Sequence, residues 1–137
     1  MDHLDRSRRS WNMGRIRGKN TVPEKQVRSL LHRLGFRFRL HVDLPGRPDI
    51  VLRSRSTVIF VHGCFWHRHD NCRLCYTPKS NIAFWEKKFA GNVERDRKAS
   101  VALTKAGWRV IVVWECELAN LPKLSTRLRR LLASRNS

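Results

Sequence analysis

The sequence predicts an α/β fold, a mixed β-sheet flanked by helices. Three observations carry this. Val27, Leu30, Leu31 and Leu34, and later Leu121, Leu124, Leu128, Leu131 and Leu132, recur at the three- and four-residue spacing of helical faces. Residues 49–53 and 57–61 are short β-rich runs separated by Ser54, Arg55 and Ser56. Residues 108–114 form an unbroken run of Trp, Val and Ile around one Arg, the composition of a strand covered on both faces.

The elements follow in order. Residues 1–20 are polar and basic and read as an arm; Trp11, Met13 and Ile16 give it apolar points that dock on something. Thr21 to Glu24 matches a capping box with Pro23 in the first turn, and Gly35 stops the helix that follows. Residues 36–40 suit a short strand, and residues 43–48 are a turn-rich connection. The runs 49–53 and 57–61 are then two hairpin strands. Thr77 to Ser80 suits the start of a long helix with Ile82, Trp85, Phe89, Val93, Leu103 and Ala106 on one face, stopped at Gly107. Residues 108–114 read as a central strand, and a C-terminal helix with a basic outer face closes the chain. The order is α, β, β, β, α, β, α, without repeats. It makes one domain, residues 21–137, behind the arm of residues 1–20.

Charge narrows the function. The 137 residues hold 29 Lys and Arg against 11 Asp and Glu, a net charge of +18. So lopsided a surface repels itself and suits a polyanion, here nucleic acid. No run approaches the roughly 20 apolar residues of a membrane span, and the N-terminus lacks a secretory apolar segment. A cytoplasmic bacterial protein with access to the nucleoid is expected. Thiols stay reduced there, so the four cysteines read as ligands or core residues rather than disulfides.

Residues 60–72 carry the chemistry: three histidines, two cysteines, and the adjacent Phe65 and Trp66. Cys64, His69 and Cys72 have the spacing of a zinc loop, and Cys116 at a strand end offers a fourth ligand. Cys75 competes with Cys72, and His62 or His67 with His69. Asp49, at the start of a strand and one hairpin from His62, suits a magnesium anchor. Glu24 has a sufficient role in capping, with a reach toward metal-bound water as the second reading. His62 and His67, if not zinc ligands, can activate water or contact phosphate near neutral pH. Phe65 and Trp66 lie inside the loop, where two bulky aromatics cannot easily both turn inward, and Trp85 sits just beyond it; apolar wedges between base steps open duplexes.

Taken together, Asn12 and Met13, residues 21–24, 44–49, 59–67, 84–85, 92–97 and 107–116 closely resemble the very short patch repair (Vsr) family of DNA mismatch endonucleases. The resemblance implies a restriction-endonuclease-like fold. It also implies a magnesium-dependent nick 5′ of the T in a T:G mispair left by deamination of 5-methylcytosine, with polymerase and ligase completing repair. By resemblance, Asp49 binds magnesium together with the main-chain carbonyl of Val61, a position where family members often have Thr. His67 is the general base, assisted by His62 and Glu24. Cys64, His69, Cys72 and Cys116 hold structural zinc. Phe65, Trp66 and Trp85 form the wedge, Asn92 joins the DNA contacts, and Asn12 and Met13 clamp the duplex from the other groove. The acid-x-Lys pair of many nucleases of this fold is replaced here by Val61 and His62. A binding module without catalysis and a less selective nuclease are the rival readings. A monomer is expected, since no apolar face is spare.

Overall fold

The computed structural model describes residues 21–133; the arm of residues 1–20, with Asn12 and Met13, lies outside the described residues. Helix α1 spans Val22–Arg33. Thr21 caps it, its Oγ1 accepting from the Glu24 N–H at 3.4 Å. Val27, Leu30 and Leu31 are buried, as their spacing requires. Gly35 takes φ +88° beyond the last turn, and the Phe36 N–H closes on the Leu31 carbonyl.

Residues 36–40 do not form the expected strand. Arg39 makes a single bridge to Val51, and His41 turns into the left-handed region at φ 57°. Phe36, Phe38 and Leu40 pack against the core, so the alternation marks burial without a ladder. Strand β1, Ile50–Leu52, pairs antiparallel with β2, Thr57–His62, with Ile50 opposite Ile59. A single 3₁₀ turn over Arg53–Arg55, completed by Ser56 at φ 49°, joins them. Helix α2, Ile82–Lys105, crosses to β3, Arg109–Trp114, which pairs parallel to β2 with His62 opposite Trp114. A second 3₁₀ turn, Glu115–Ala119, leads to α3, Leu121–Ala133.

The sheet order is β1-β2-β3. Among the described residues β2 is therefore central and β3 an edge, which corrects the central place expected for residues 108–114. Burial explains the misreading. Ile111 and Val113 are buried, while Val110, Val112 and Trp114 are only partly covered. One face of the sheet packs Ile50, Leu52, Ile59, Ile111 and Val113 against two helices, meeting Val27, Leu30 and Leu31 of α1 and Leu124, Leu128 and Leu132 of α3. The other face sets Val51 and Val58 against Leu103 of α2. Arg127 of α3 pins that helix, donating to both Glu117 carboxylate oxygens and to the Val112 carbonyl.

Helix α2 differs from its sequence pattern in the middle. Its buried residues are Phe89, Asn92, Ala99 and Leu103, whereas Ile82 and Val93 are 50% and 46% exposed. Asn81, at φ 53° and without a side-chain cap, precedes it in place of a cap among residues 77–80. The inward stripe runs 89, 92, 96, 99, 103 and includes two polar residues. Gly46 fits against this stripe. It has φ +72°, and a Cβ there would stand 2.5 Å from the Ala99 Cβ. Gly46→Ala should therefore destabilise the protein by about 1–3 kcal/mol in urea denaturation, through backbone strain and a clash with an atom fixed to the helix. An unchanged midpoint would mean that the loop does not rest on α2. Among the described residues no helix is long and apolar enough to cross a membrane.

Candidate active site

An open cleft of about 960 Å³ lies between the 41–49 connection, the end of β2 and the face of α2. Glu24, Asp49, His62, His67 and Asp96 line it. Asp49, just before β1, is fixed by the strand it pairs with: its Oδ2 accepts from the Val61 N–H at 2.6 Å. Burial pushes its carboxyl up to about 7; the Val61 N–H works against this, and the neighbouring Glu24 carboxylate adds to it. Glu24 is buried and receives Arg28 at 3.2 Å. Glu24 also neighbours Asp49, and the Thr21 hydroxyl supplies a cap.

The donor set fits a hard divalent cation. Two carboxyl groups in hydrogen-bond contact, one driven toward protonation by burial and its neighbour, both gain from a cation, and oxygen donors are what Mg²⁺ takes. The Val61 peptide lies beside them.

His62 and His67 stack with centroids 3.8 Å apart and planes 4° from parallel. Burial, then the proximity of His67, lowers His62 to about 4, so it is neutral near pH 7. His67 Nδ1 lies 2.6 Å from Asp96 Oδ2. A carboxylate only accepts, so Nδ1 carries a proton, and in the neutral imidazole this leaves Nε2 as the acceptor. His62, His67 and Asp96 come close enough to be considered as a metal group. Stacked rings argue otherwise, because one ion cannot lie in two parallel ring planes. The arrangement suits proton handling. Asp96 was missed as a functional residue by sequence reasoning, where residues 92–97 counted toward the family resemblance without a role for Asp96. Its place four residues after Asn92 on the inward stripe was the available signal.

The sulfur-rich group is separate. Ligand atoms of Cys64, His69, Cys72 and Cys116 all lie within 4.8 Å of one another. His69 Nδ1 is 3.6 Å from Cys64 Sγ and 3.5 Å from Cys116 Sγ. Ligands of a tetrahedral site with metal bonds of about 2.1–2.3 Å stand roughly 3.6 Å apart, so the group fits a zinc-sized ion. Burial pushes the Cys64 thiol up to about 12, a cost that a bound cation would remove. Trp114 stacks on His69 at 4.2 Å and fixes its ring. Cys75 stays outside this group, its N–H donating to the Cys72 carbonyl at 2.9 Å.

Phe65, Trp66 and Trp85 are gathered into one aromatic cluster. Phe65 meets Trp66 at 5.1 Å and Trp85 at 5.6 Å, and Trp66 meets Trp85 at 5.9 Å. Sequence reasoning missed three further members: Phe89 inside, and Tyr76 and Phe84, which are 60% and 58% exposed. Arg68, at φ 56°, staples the loop. Its guanidinium lies 4.0 Å from the Phe89 ring centroid and donates to the Phe65 and Tyr76 carbonyls and the Thr77 hydroxyl.

Comparison with known proteins accords with this geometry. Residues 1–73 match the family model described as DNA mismatch endonuclease Vsr. The chain is 54% identical to the type II nicking enzyme V.XorIIP of Xanthomonas oryzae pv. oryzae over 132 residues, covering 96% of each. It is 46% identical to the DNA mismatch endonuclease Vsr of Escherichia coli over 125 residues, covering 90% of this chain and 80% of that protein. Among solved structures, the catalytic domain of the homing endonuclease I-Bth0305I superimposes with a TM-score of 0.60 at 19% identity, over 86% of this chain and all of that domain. This last likeness speaks to the fold, which is restriction-endonuclease-like. With a cleft of acids and histidines on that fold, and with relatives this similar over 80% and 96% of their own length, the chain belongs to the Vsr family of DNA mismatch endonucleases, enzymes that cut phosphodiester bonds in DNA.

Proposed function

We propose that this endonuclease nicks one strand of duplex DNA 5′ of the T in T:G mispairs derived from 5-methylcytosine, with Mg²⁺ as its catalytic ion and Zn²⁺ as a structural one. The nick would open very short patch repair on the nucleoid in the bacterial cytoplasm, with polymerase and ligase completing it. The observation that carries this reading is His67. It is oriented by Asp96, stacked on a neutral histidine, and shares one cleft with the Asp49–Glu24 pair.

The net charge of +18 draws the protein to phosphates, with affinity that falls as salt rises. The arm of residues 1–20, with Asn12 and Met13, clamps the duplex. Phe65, Trp66 and Trp85 press on the stack, and a mispaired step yields at lower cost than a matched one. Cys64, His69, Cys72 and Cys116 hold the loop that presents Phe65 and Trp66. Bound at Asp49, Glu24 and the Val61 carbonyl, Mg²⁺ would neutralise charge on the scissile phosphate and acidify a water. His67 accepts the water proton at Nε2 while Asp96 stabilises the imidazolium. His62, neutral at pH 7, is suited to donate one N–H to a phosphate oxygen.

The test is strand-resolved cutting of a duplex with one T:G pair. Product confined to the T strand, with a 5′-phosphate, is expected; equal cutting of both strands would refute the reading. Trp66→Ala should lower the ratio of mismatched to matched cutting about tenfold or more, a loss of roughly 1.4 kcal/mol of discrimination. Equal losses on both substrates would remove Trp66 from the wedge.

A further inference from the structure

Four stretches of the chain, residues 25–42, 50–69, 97–114 and 118–137, hold no Asp or Glu. The fold gathers parts of all four at one end of the sheet, away from the cleft. Strand β2 finishes at the cleft with His62, and its first residue, Thr57, lies about 17 Å away along the strand. At that far end the Arg55 guanidinium covers the Phe36 ring at 4.9 Å and donates to the Leu132 carbonyl, tying the exit of α1 and the end of α3 to the β1–β2 turn. The Arg39 bridge to Val51 lays the segment after α1 antiparallel to β1 and carries Arg37 alongside Arg53. The Arg109 N–H donates to the Ser56 carbonyl at 2.8 Å, so β3 enters the sheet beside the same turn.

The surface built there is cationic. Phe36, Phe38 and Leu40 pack on the core and turn Arg37 and Arg39 outward, and Arg33, Arg53, Arg129 and Arg130 are exposed as well. Among the described residues none of these six arginines makes an ion pair; the carboxylate pairs of Arg28, Arg97 and Arg127 lie elsewhere. Cations near helix C-termini complement the helix dipole, which accounts for Arg33 and Arg130. It does not account for Arg37 and Arg53, which stand outside the α-helices, or for the missing acids. Like charges held this close repel one another, and a surface without its own counter-charge is matched by a polyanion from outside.

We propose that this end of the protein is a second DNA-binding surface, which grips the phosphate backbone of another duplex while the cleft holds the one to be cut. Guanidinium groups bind phosphate without regard to sequence, so the second duplex needs no mispair. The protein can then pass between neighbouring duplexes without release. This rests on the reading that the cut duplex occupies the cleft, and not on which mispair is cut there.

Arg37→Gln/Arg53→Gln tests it in the whole chain. The cleft is saturated with a donor-labelled duplex carrying a T:G pair, in magnesium-free buffer, and a matched duplex with an acceptor dye is titrated in. Energy transfer reports the second duplex, and sedimentation velocity gives the stoichiometry. The wild type should join two duplexes through one chain. The double variant should bind the second duplex at least about tenfold more weakly at about 0.1 M salt, with a log–log salt slope shallower by roughly 2. Its single-turnover nicking of the first duplex, with Mg²⁺ added, should stay within about twofold of wild type. A wild type that captures no second duplex, or holds two duplexes only through two chains, would overturn the proposal. Unchanged capture by the double variant would overturn it too. Nicking or first-duplex binding weakened as much as capture would assign Arg37 and Arg53 to the duplex in the cleft, with the same consequence. If the cleft shows no preference for T:G, the mismatch reading fails, and the two-duplex complex still decides this proposal.

Discussion

Asp49→Asn should lower the saturating nicking rate by about 10³-fold or more, yet make the protein more stable than wild type at pH 8 in magnesium-free buffer. The two effects share one cause. The folded protein raises the Asp49 carboxyl from 3.8 to about 7, chiefly through burial and against the pull of the Val61 N–H. The folded state therefore binds this proton more tightly than the unfolded chain does. The stabilisation is full below pH 4 and is lost as pH rises through 7, where a buried charge must form beside Glu24. Asparagine is neutral, and its side chain can still accept from the Val61 N–H. The stability advantage of the variant should open between pH 4 and pH 7 and level off near roughly 2 kcal/mol by pH 8. Urea denaturation at pH 5 and pH 8 measures it. A variant less stable than wild type at pH 8 would show that the carboxylate is held by favourable partners and is not a strained cation seat. Binding of the T:G duplex should survive, because one neutralised acid in a protein of charge +18 does not weaken attraction for phosphate.

The second large effect belongs to the sulfur cluster. If the cluster holds zinc as proposed, about one ion per chain, Cys116→Ser should abolish its binding and cost roughly 3–5 kcal/mol of stability. Cys116 comes from beyond β3, while Cys64, His69 and Cys72 come from the loop after β2, so the ion would tie that loop to the sheet edge. Cys75→Ser should change neither zinc content nor thermal midpoint, since Cys75 stands outside the group. Mass-spectrometric zinc counting with thermal unfolding checks both variants. Full zinc in Cys116→Ser, with loss in Cys75→Ser, would reassign the fourth ligand.

How far the sequence discloses this arrangement depends on what each element must satisfy. Helix α1 and strands β1 and β2 were legible within a residue or two, because one apolar face or a short β-branched run fixes each of them locally. The grouping of Cys64, His69 and Cys72 was legible too, since a short loop of closely spaced side chains is a local object. Strand order was not. Residues 108–114 are apolar enough for a central strand, and only the tertiary strand order, β1-β2-β3, sets β3 at an edge among the described residues. The polar members of the α2 stripe escaped for a related reason. Asn92 and Asp96 break the apolar period, yet they face inward because the Trp66 carbonyl and the His67 imidazole need partners there. Glu24 was ambiguous in sequence because a cap explains it fully; its contact with Asp49 is a tertiary fact. The resemblance to known mismatch endonucleases pointed to His67 and Asp49 before any geometry did, and the cleft holds both, but it gave no reason for Asp96 or for the stacked His62.

The most direct measurement is nicking with Mg²⁺ on two duplexes that differ only in a T:G or a C:G pair, across a panel of flanking sequences. A mismatch endonuclease of this kind should make a single cut 5′ of the mispaired T and, at equal enzyme, give no product from the C:G duplex. Equal cutting of the two duplexes in every flanking context would contradict it.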